Sequence, residues 1–205
     1  TNDANAGDFK PDWLWLKERG ATSSHQLHDS TRGSSFAVMS DSTAVEDEDA
    51  NRVQAFQTNG FQVGTASTVN QNNIAMVAWQ WKANGGTTTT NDASSTGVGS
   101  IDSVIQANTT AGFSIVTYTG NGTAGATIGH GLGVAPSMII VKRRDAVTGW
   151  CVYHKDMAAV PESAYMYLDT TGAAVTGVIN FWNSTAPTSS VFSISSHPDV
   201  NTGTM

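Results

Sequence analysis

The first residues that could do chemistry form an acidic run, Glu46-Asp47-Glu48-Asp49. A hard cation such as Ca²⁺ needs about six to eight oxygen ligands that converge from several directions. Consecutive carboxylates point apart, and the alternate acids and central Gly of a calcium loop are absent. The run therefore indicates a solvated loop, and we expect neither a metal nor any other cofactor.

The histidines and the cysteine form no catalytic pattern. His25 and His28 are three positions apart on a predicted strand, so their side chains should face opposite sides of it. His130 lies in a glycine-rich turn whose glycine spacing does not fit a phosphate-binding loop. Cys151 is the single cysteine and has no evident partner His and third group, which favours a buried structural thiol. We therefore predict no catalytic residues and no enzymatic activity.

The six tryptophans could form a surface that stacks on sugar rings. Most of them lie within apolar strands and are expected in the core, because an aromatic ring buries a large area. Trp182 follows Phe181 between polar segments, so it is predicted to be exposed and is the candidate glycan contact. The residues predicted to be largely buried are Trp13, Leu14, Trp79, Ile139, Val141, Val152, Phe192 and, with them, Trp150.

Short strands must position these side chains, because apolar alternation is frequent and no segment sustains a 3.6-residue apolar period. Helix is expected to be minor, with one turn near residues 42–51. The predicted strands are residues 13–17, 76–81, 101–105, 112–118, 137–142, 150–154, 164–168 and 191–195. The predicted fold class is all-β.

Composition narrows the classes of partner. Charged residues make up 13% of the chain, and the formal net charge is −7. Such a surface repels phosphate backbones, so a nucleic-acid partner is not expected. No apolar run reaches the roughly 18 residues of a membrane span, so membrane insertion is not expected either.

The chain resembles itself over much of its length. Residues 9–19 match residues 134–144 at an offset of 125 positions, and residues 61–63 match residues 192–194 at an offset of 131 positions. The aligned pairs include Pro11 with Pro136, Lys17 with Lys142, Arg19 with Arg144, and Val69-Asn70 with Val200-Asn201.

The repeat predicts two tandem antiparallel β-sandwich units of jelly-roll-like type. The first unit is expected at residues 1–83 and the second at residues 100–205, with a Gly/Thr/Ser-rich flexible linker at residues 84–99. The first unit lacks the lead-in strands of the second, and the second lacks the closing strand at residues 76–81 of the first. Because open strand edges pair with other chains, we expect either a longer array or a homo-oligomer.

Several segments of the chain match a known family. They are residues 12–17, 77–82, 112–122 and 183–192, together with Ile128-Gly129-His130-Gly131-Leu132-Gly133-Val134-Ala135-Pro136 and Ile139-Ile140-Val141-Lys142. These segments resemble a repeat domain of tailed-bacteriophage virion proteins, which occurs in tail-fibre-like and appendage proteins, notably of marine phages. The resemblance implies a virion location and a structural or host-adhesion role, and it transfers no catalytic residues.

These observations leave three functional hypotheses. The first is a phage virion protein in a fibre or surface appendage, with other virion proteins and its own copies as partners and a host-surface glycan as a further one. The second is a carbohydrate-binding module of a secreted adhesin or enzyme. The third, a glycan-cleaving enzyme, needs two facing carboxylates. Fold class alone does not separate them.

Overall fold

The structure is a computed structural model that describes residues 9–205, so the first eight residues of the predicted first unit lie outside it. The described chain is nearly all-β, with several antiparallel sheets of the kind found in β-sandwiches, as the apolar alternation predicts. The division into two tandem units stays a prediction. Below, "first half" means residues 9–83 and "second half" means residues 100–205.

The first half is built on a five-stranded antiparallel sheet of order β4-β3-β2-β1-β7 and a separate β5-β6 hairpin. Its elements are β1 (Trp13–Glu18), β2 (Gln26–Asp29), β3 (Gly33–Val38), β4 (Asp47–Glu48), β5 (Val53–Gln57), β6 (Gly60–Val63), α1 (Ser67–Asn70) and β7 (Met76–Trp81). Side chains alternate along β1: Leu14 and Leu16 are buried against Val53 and Val69, and the tryptophans lie on the other face.

The second half, together with β8 from the segment before it, contains a four-stranded sheet of order β17-β10-β9-β8, a β11-β16 pair and a four-stranded sheet of order β12-β13-β14-β15. The elements that follow β7 are β8 (Thr89–Asn91), α2 (Ala93–Thr96), β9 (Ser103–Asn108), β10 (Phe113–Asn121), β11 (Ala126–Gly129), β12 (Met138–Lys142), β13 (Trp150–His154), β14 (Ala164–Tyr167), β15 (Val175–Thr176), β16 (Val191–Ile194), α3 (Pro198–Asn201) and β17 (Thr202–Thr204), with a 3-10 turn at Pro161–Ser163. Its core includes Ile128, Cys151, Trp182, Ile194 and Val200.

Two predictions about the connections are wrong. The segment 84–99, predicted to be a flexible linker, contains β8, which pairs with β9, and the helical turn α2. Asp92 caps that turn by accepting hydrogen bonds from the backbone N–H groups of Ser94 and Ser95. The helical turn expected near residues 42–51 is absent, and β4 lies there instead.

The segments that match in sequence also match in local geometry. In the β1-β2 pair Trp13 lies opposite Asp29, and in the β12-β13 pair Met138 lies opposite His154, which is the same register displaced by 125 positions. The later match holds as well. The Nδ2 of Asn70 donates to the Gly64 carbonyl at 2.7 Å, and the Nδ2 of Asn201 donates to the Ser195 carbonyl at 2.8 Å. Each helical turn thereby bonds back to the residue that directly follows the strand before it.

A small apolar cluster joins the two halves. Trp150 of β13 is buried with Leu27 and Val38 of the first sheet, and its indole Nε1 donates to the Met39 carbonyl at 2.9 Å. Trp150 is thus one of the residues through which the two halves contact each other.

Candidate binding surface

Four tryptophans form two cross-strand pairs on one face of the first sheet. The β1-β7 register sets Trp13 opposite Trp81 and Trp15 opposite Trp79. The ring centroids are 4.6 Å apart in the first pair and 5.8 Å apart in the second. Opposite residues of antiparallel strands project to the same face, so the four indoles stand in a two-by-two array.

The array is extended at both ends. Phe113, at the start of β10, packs its ring 5.8 Å from Trp13 and 6.3 Å from Trp81. At the other end, the Nε1 of Trp15 donates to Nδ1 of His25 at 2.7 Å, so His25 carries its proton on Nε2 when neutral. We call Trp13, Trp15, Trp79, Trp81 and Phe113 the aromatic ladder.

One side of the aromatic ladder is held by the core and the other is open. Trp13 and Trp15 are half-buried against the cluster of Leu27, Val38 and Trp150. Trp79 lies on β7, which is an edge strand of its sheet, and 44% of its surface is exposed. The rings are therefore fixed by packing before any ligand arrives, which lowers the entropic cost of binding.

The prediction for Trp182 is wrong. Its side chain is only 2% exposed, and its ring packs edge-on against Tyr153 at 6.0 Å. The polar neighbours in sequence are misleading because the segment lies against β13 and contributes Phe181 and Trp182 to the core of the second half. Trp182 is therefore not a glycan contact on the protein surface.

The core predictions are otherwise mostly confirmed. Leu14, Val141, Val152, Phe192 and Trp150 are buried, whereas Ile139 and Trp13 are only partly so. The prediction that Trp79 is buried is wrong, because Trp79 lies on an edge strand and much of its ring is exposed to solvent. The signal that could have found the ladder is the repeated pattern of two tryptophans at positions i and i+2, on two strands that pair.

The acidic run is less solvated than predicted. Asp47 and Glu48 are exposed, but Glu46 lies between two arginines and accepts hydrogen bonds from Arg32 Nη1 at 2.6 Å and from Arg144 Nη1 at 2.8 Å. Arg144 belongs to the second half, so Glu46 links the two halves. Among residues 9–205, no cluster of three or more His, Cys, Asp or Glu side chains could hold a metal ion.

The other chemically capable residues have structural surroundings. His28 is fully buried and bonds through Nδ1 to the Ser34 carbonyl, and burial lowers its pKa to about 4. His130 bonds through Nε2 to the Thr188 carbonyl and accepts at Nδ1 from the Leu132 N–H, which fastens its turn. Cys151 has no exposed surface, and burial raises the pKa of its thiol far above the usual range. A raised pKa disfavours the reactive thiolate.

An open groove of about 560 Å³ is lined by residues of and around the β8-β9-β10-β17 sheet. Half of its lining residues are Thr or Ser, with Asp102 as the carboxylate and Arg144 as the cation. Glycoside hydrolysis commonly uses a pair of carboxylates that flank the substrate, and this groove offers one.

In the part of the chain that the structure describes, no helix is long and apolar enough to cross a membrane.

A family model described as a domain of unknown function (DUF7483) matches residues 1–205. No curated protein and no solved structure gives a significant match. The family match covers the whole chain, including the aromatic ladder and both halves.

Proposed function

We propose that this chain, which belongs to the family of the domain of unknown function DUF7483, is a structural component of a bacteriophage virion, in a fibre or surface appendage. In this proposal it attaches to a host-surface glycan and acts by binding rather than by catalysis. The observation that carries the attachment role is the half-open aromatic ladder, a preformed apolar platform on one face of the first sheet.

The structural role is supported by the recurrence of one local geometry in both halves. The register of β1-β2 recurs in β12-β13, and the bond from Asn70 to Gly64 recurs from Asn201 to Ser195. We infer two copies of one unit. Repeated modules that bury surface against their neighbours suit extended assemblies.

A rigid connection between the halves also supports this role. Asp12 is fully buried, and its Oδ2 accepts hydrogen bonds at 2.8 Å from the N–H groups of Ala83 and Gly85, where the chain leaves the first half. Gln106, also fully buried, donates from Nε2 to Ser30 and Thr31 of the first half. Together with Trp150, these contacts favour a stiff module over two beads on a flexible tether.

The virion role is tested by the composition of purified particles. We expect the polypeptide that carries this chain to be found by mass spectrometry in particles banded by density gradient, and antibodies to the chain to decorate an appendage in electron micrographs. Its absence from intact infectious particles would exclude the virion role and leave the second candidate, a carbohydrate-binding module of a secreted adhesin or enzyme, which the same ladder favours.

Glycan binding makes a separate prediction about Trp79. A sugar ring packs its C–H groups on the face of an aromatic ring, and Trp79 offers the most open ring of the ladder. Trp79→Ala should weaken the affinity for a glycan selected from an array of defined neutral and acidic oligosaccharides at least about tenfold, equivalent to about 1.4 kcal/mol. Titration calorimetry with the selected oligosaccharide measures the change.

Two variants control this measurement. Trp79→Phe keeps an aromatic face and should retain most of the affinity. Ile179→Ala removes a different exposed apolar side chain and should leave the affinity unchanged. Equal affinity in the parent and in Trp79→Ala, or binding to no oligosaccharide on the array, would contradict the proposed role of the ladder.

A further inference from the structure

We propose that the outer edge of β12 is a docking site for an added antiparallel β-strand, and that its occupant has the side-chain pattern of β7 and comes from a further copy of the same unit. This inference does not depend on glycan binding or on a virion location. It rests on a comparison between β12 and β1 within the same chain.

The two strands have the same inner partner but different outer ones. β1 pairs with β2 on one side and with β7 on the other. β12 pairs with β13 in the equivalent register, and within residues 9–205 no strand pairs with its other edge. The outward N–H and C=O groups of β12 are therefore open to a ladder that the backbone of β1 already makes.

The side chains at this edge of β12 also lack a neighbouring strand to cover them. By register, Met138 occupies the position of Trp13 and Ile140 the position of Trp15. In the first half Trp81 and Trp79 of β7 stand directly across from those positions. Met138 is 48% exposed and Ile140 38% exposed, so two large apolar side chains on β12 lack the cover that β7 gives their counterparts.

The edge also lacks the usual protection against pairing. Natural edge strands carry charges, bulges or an internal proline that discourage an incoming strand. Residues 138–141 of β12 are Met, Ile, Ile and Val, the strand pairs with β13 without a register shift, and Lys142 at its end turns inward to donate to the Thr148 carbonyl at 2.8 Å. An exposed apolar edge of this kind is a template for strand addition.

The occupant's chemistry follows from β7. Its sequence, Met-Val-Ala-Trp-Gln-Trp, has no charge and places large rings on one face at alternate positions. A strand of this pattern, antiparallel to β12, would set rings across from Met138 and Ile140. Its backbone would extend the β12-β13-β14-β15 sheet by one strand, as β7 extends the first sheet.

A synthetic peptide of residues 74–83, labelled with a fluorophore, provides the test. Fluorescence anisotropy should show saturable binding to the purified chain, and hydrogen exchange should show new protection of the amides in 138–142. Ile140→Lys places a charge in the docking position on an exposed side chain, so it should weaken peptide binding at least tenfold without unfolding the protein. A peptide with Pro at the position of Ala78, which breaks the ladder, should not bind.

Three results would overturn the proposal. One is the absence of saturable binding to a folded chain. The second is protection confined to 13–18, which would mean that the peptide displaces β7 from β1. The third is a doubled mass in light scattering that Ile140→Lys halves, combined with no peptide binding by the parent chain. That result would mean that the β12 edges of two copies pair with each other and that no strand of the β7 pattern occupies the site. Trp79→Ala in the protein chain, with the peptide unchanged, should leave peptide binding unchanged. This control separates the test of the β12 edge from that of the aromatic ladder.

Discussion

Trp182→Ala should lower the free energy of unfolding by about 3–5 kcal/mol, the range for removing a large aromatic side chain from a packed core. Trp182 is among the largest fully buried side chains and packs with Tyr153 in the core of the second half. β13, which carries Tyr153, is paired with β12 on one side and with β14 on the other, so the site can collapse only partly and a cavity should remain. Urea denaturation followed by circular dichroism measures the change.

Trp79→Ala is the matched control, because it removes the same side chain from an open position. It should cost well under half as much as Trp182→Ala. The ranking is opposite to the one that the sequence predicts, in which Trp79 belongs to the core and Trp182 to the surface. Equal losses in the two variants, or a larger loss for Trp79→Ala, would mean that the burial of Trp182 is misjudged.

Strands and hairpin registers were predictable because they depend on local pattern. The short apolar runs in residues 13–17 and 137–142, with a proline before each, predict a strand whichever face turns inward. Internal repetition then predicts that whatever pairs with one strand has a counterpart for the other, as the two equivalent registers illustrate.

The exposure of individual tryptophans was not predictable, because it depends on which strands lie at sheet edges. Trp13 and Trp79 occur in similar apolar strands, but β1 is central and β7 is at an edge. The position of Trp182 is set by long-range contact with Tyr153 rather than by its polar neighbours in sequence. Likewise, the Thr-rich segment 84–99 looks like a linker, yet β9 provides a partner for Thr89–Asn91.

The ion pairs of Glu46 were also not predictable from the sequence. Glu46 stands in a charge run that is typical of a solvated loop, and nothing local indicates that Arg32 and Arg144 would approach it from two sides. The aromatic ladder was not predictable for the same reason, because it depends on a long-range contact. Its four tryptophans form one surface only through the β1-β7 register, which pairs strands about 60 residues apart in the sequence.

Asp29→Ala should be the second severely destabilising change, with a loss of about 3–5 kcal/mol, because it leaves a buried arginine without its nearest carboxylate. The side chains of Arg32 and Asp29 are 6% and 5% exposed, and Arg32 Nε donates to Asp29 Oδ2. Burial alone would lower the pKa of Arg32, but Asp29 and Glu46 raise it above its ordinary value, so the guanidinium stays charged. Asp29 Oδ1 also accepts from the backbone N–H groups of Thr31 and Arg32.

The double variant Asp29→Ala/Arg32→Met identifies the cause of that loss. Removing both charges eliminates the unpaired guanidinium, so the double variant should be more stable than Asp29→Ala although it has lost more contacts. Asp47→Ala removes a half-exposed carboxylate that pairs with Arg52, and it should cost no more than about 1 kcal/mol. Urea midpoints for the three variants give the comparison. If the double variant is less stable than Asp29→Ala, the loss of stability comes from the hydrogen bonds that the backbone N–H groups of Thr31 and Arg32 donate to Asp29, and the unpaired charge of Arg32 is not its cause.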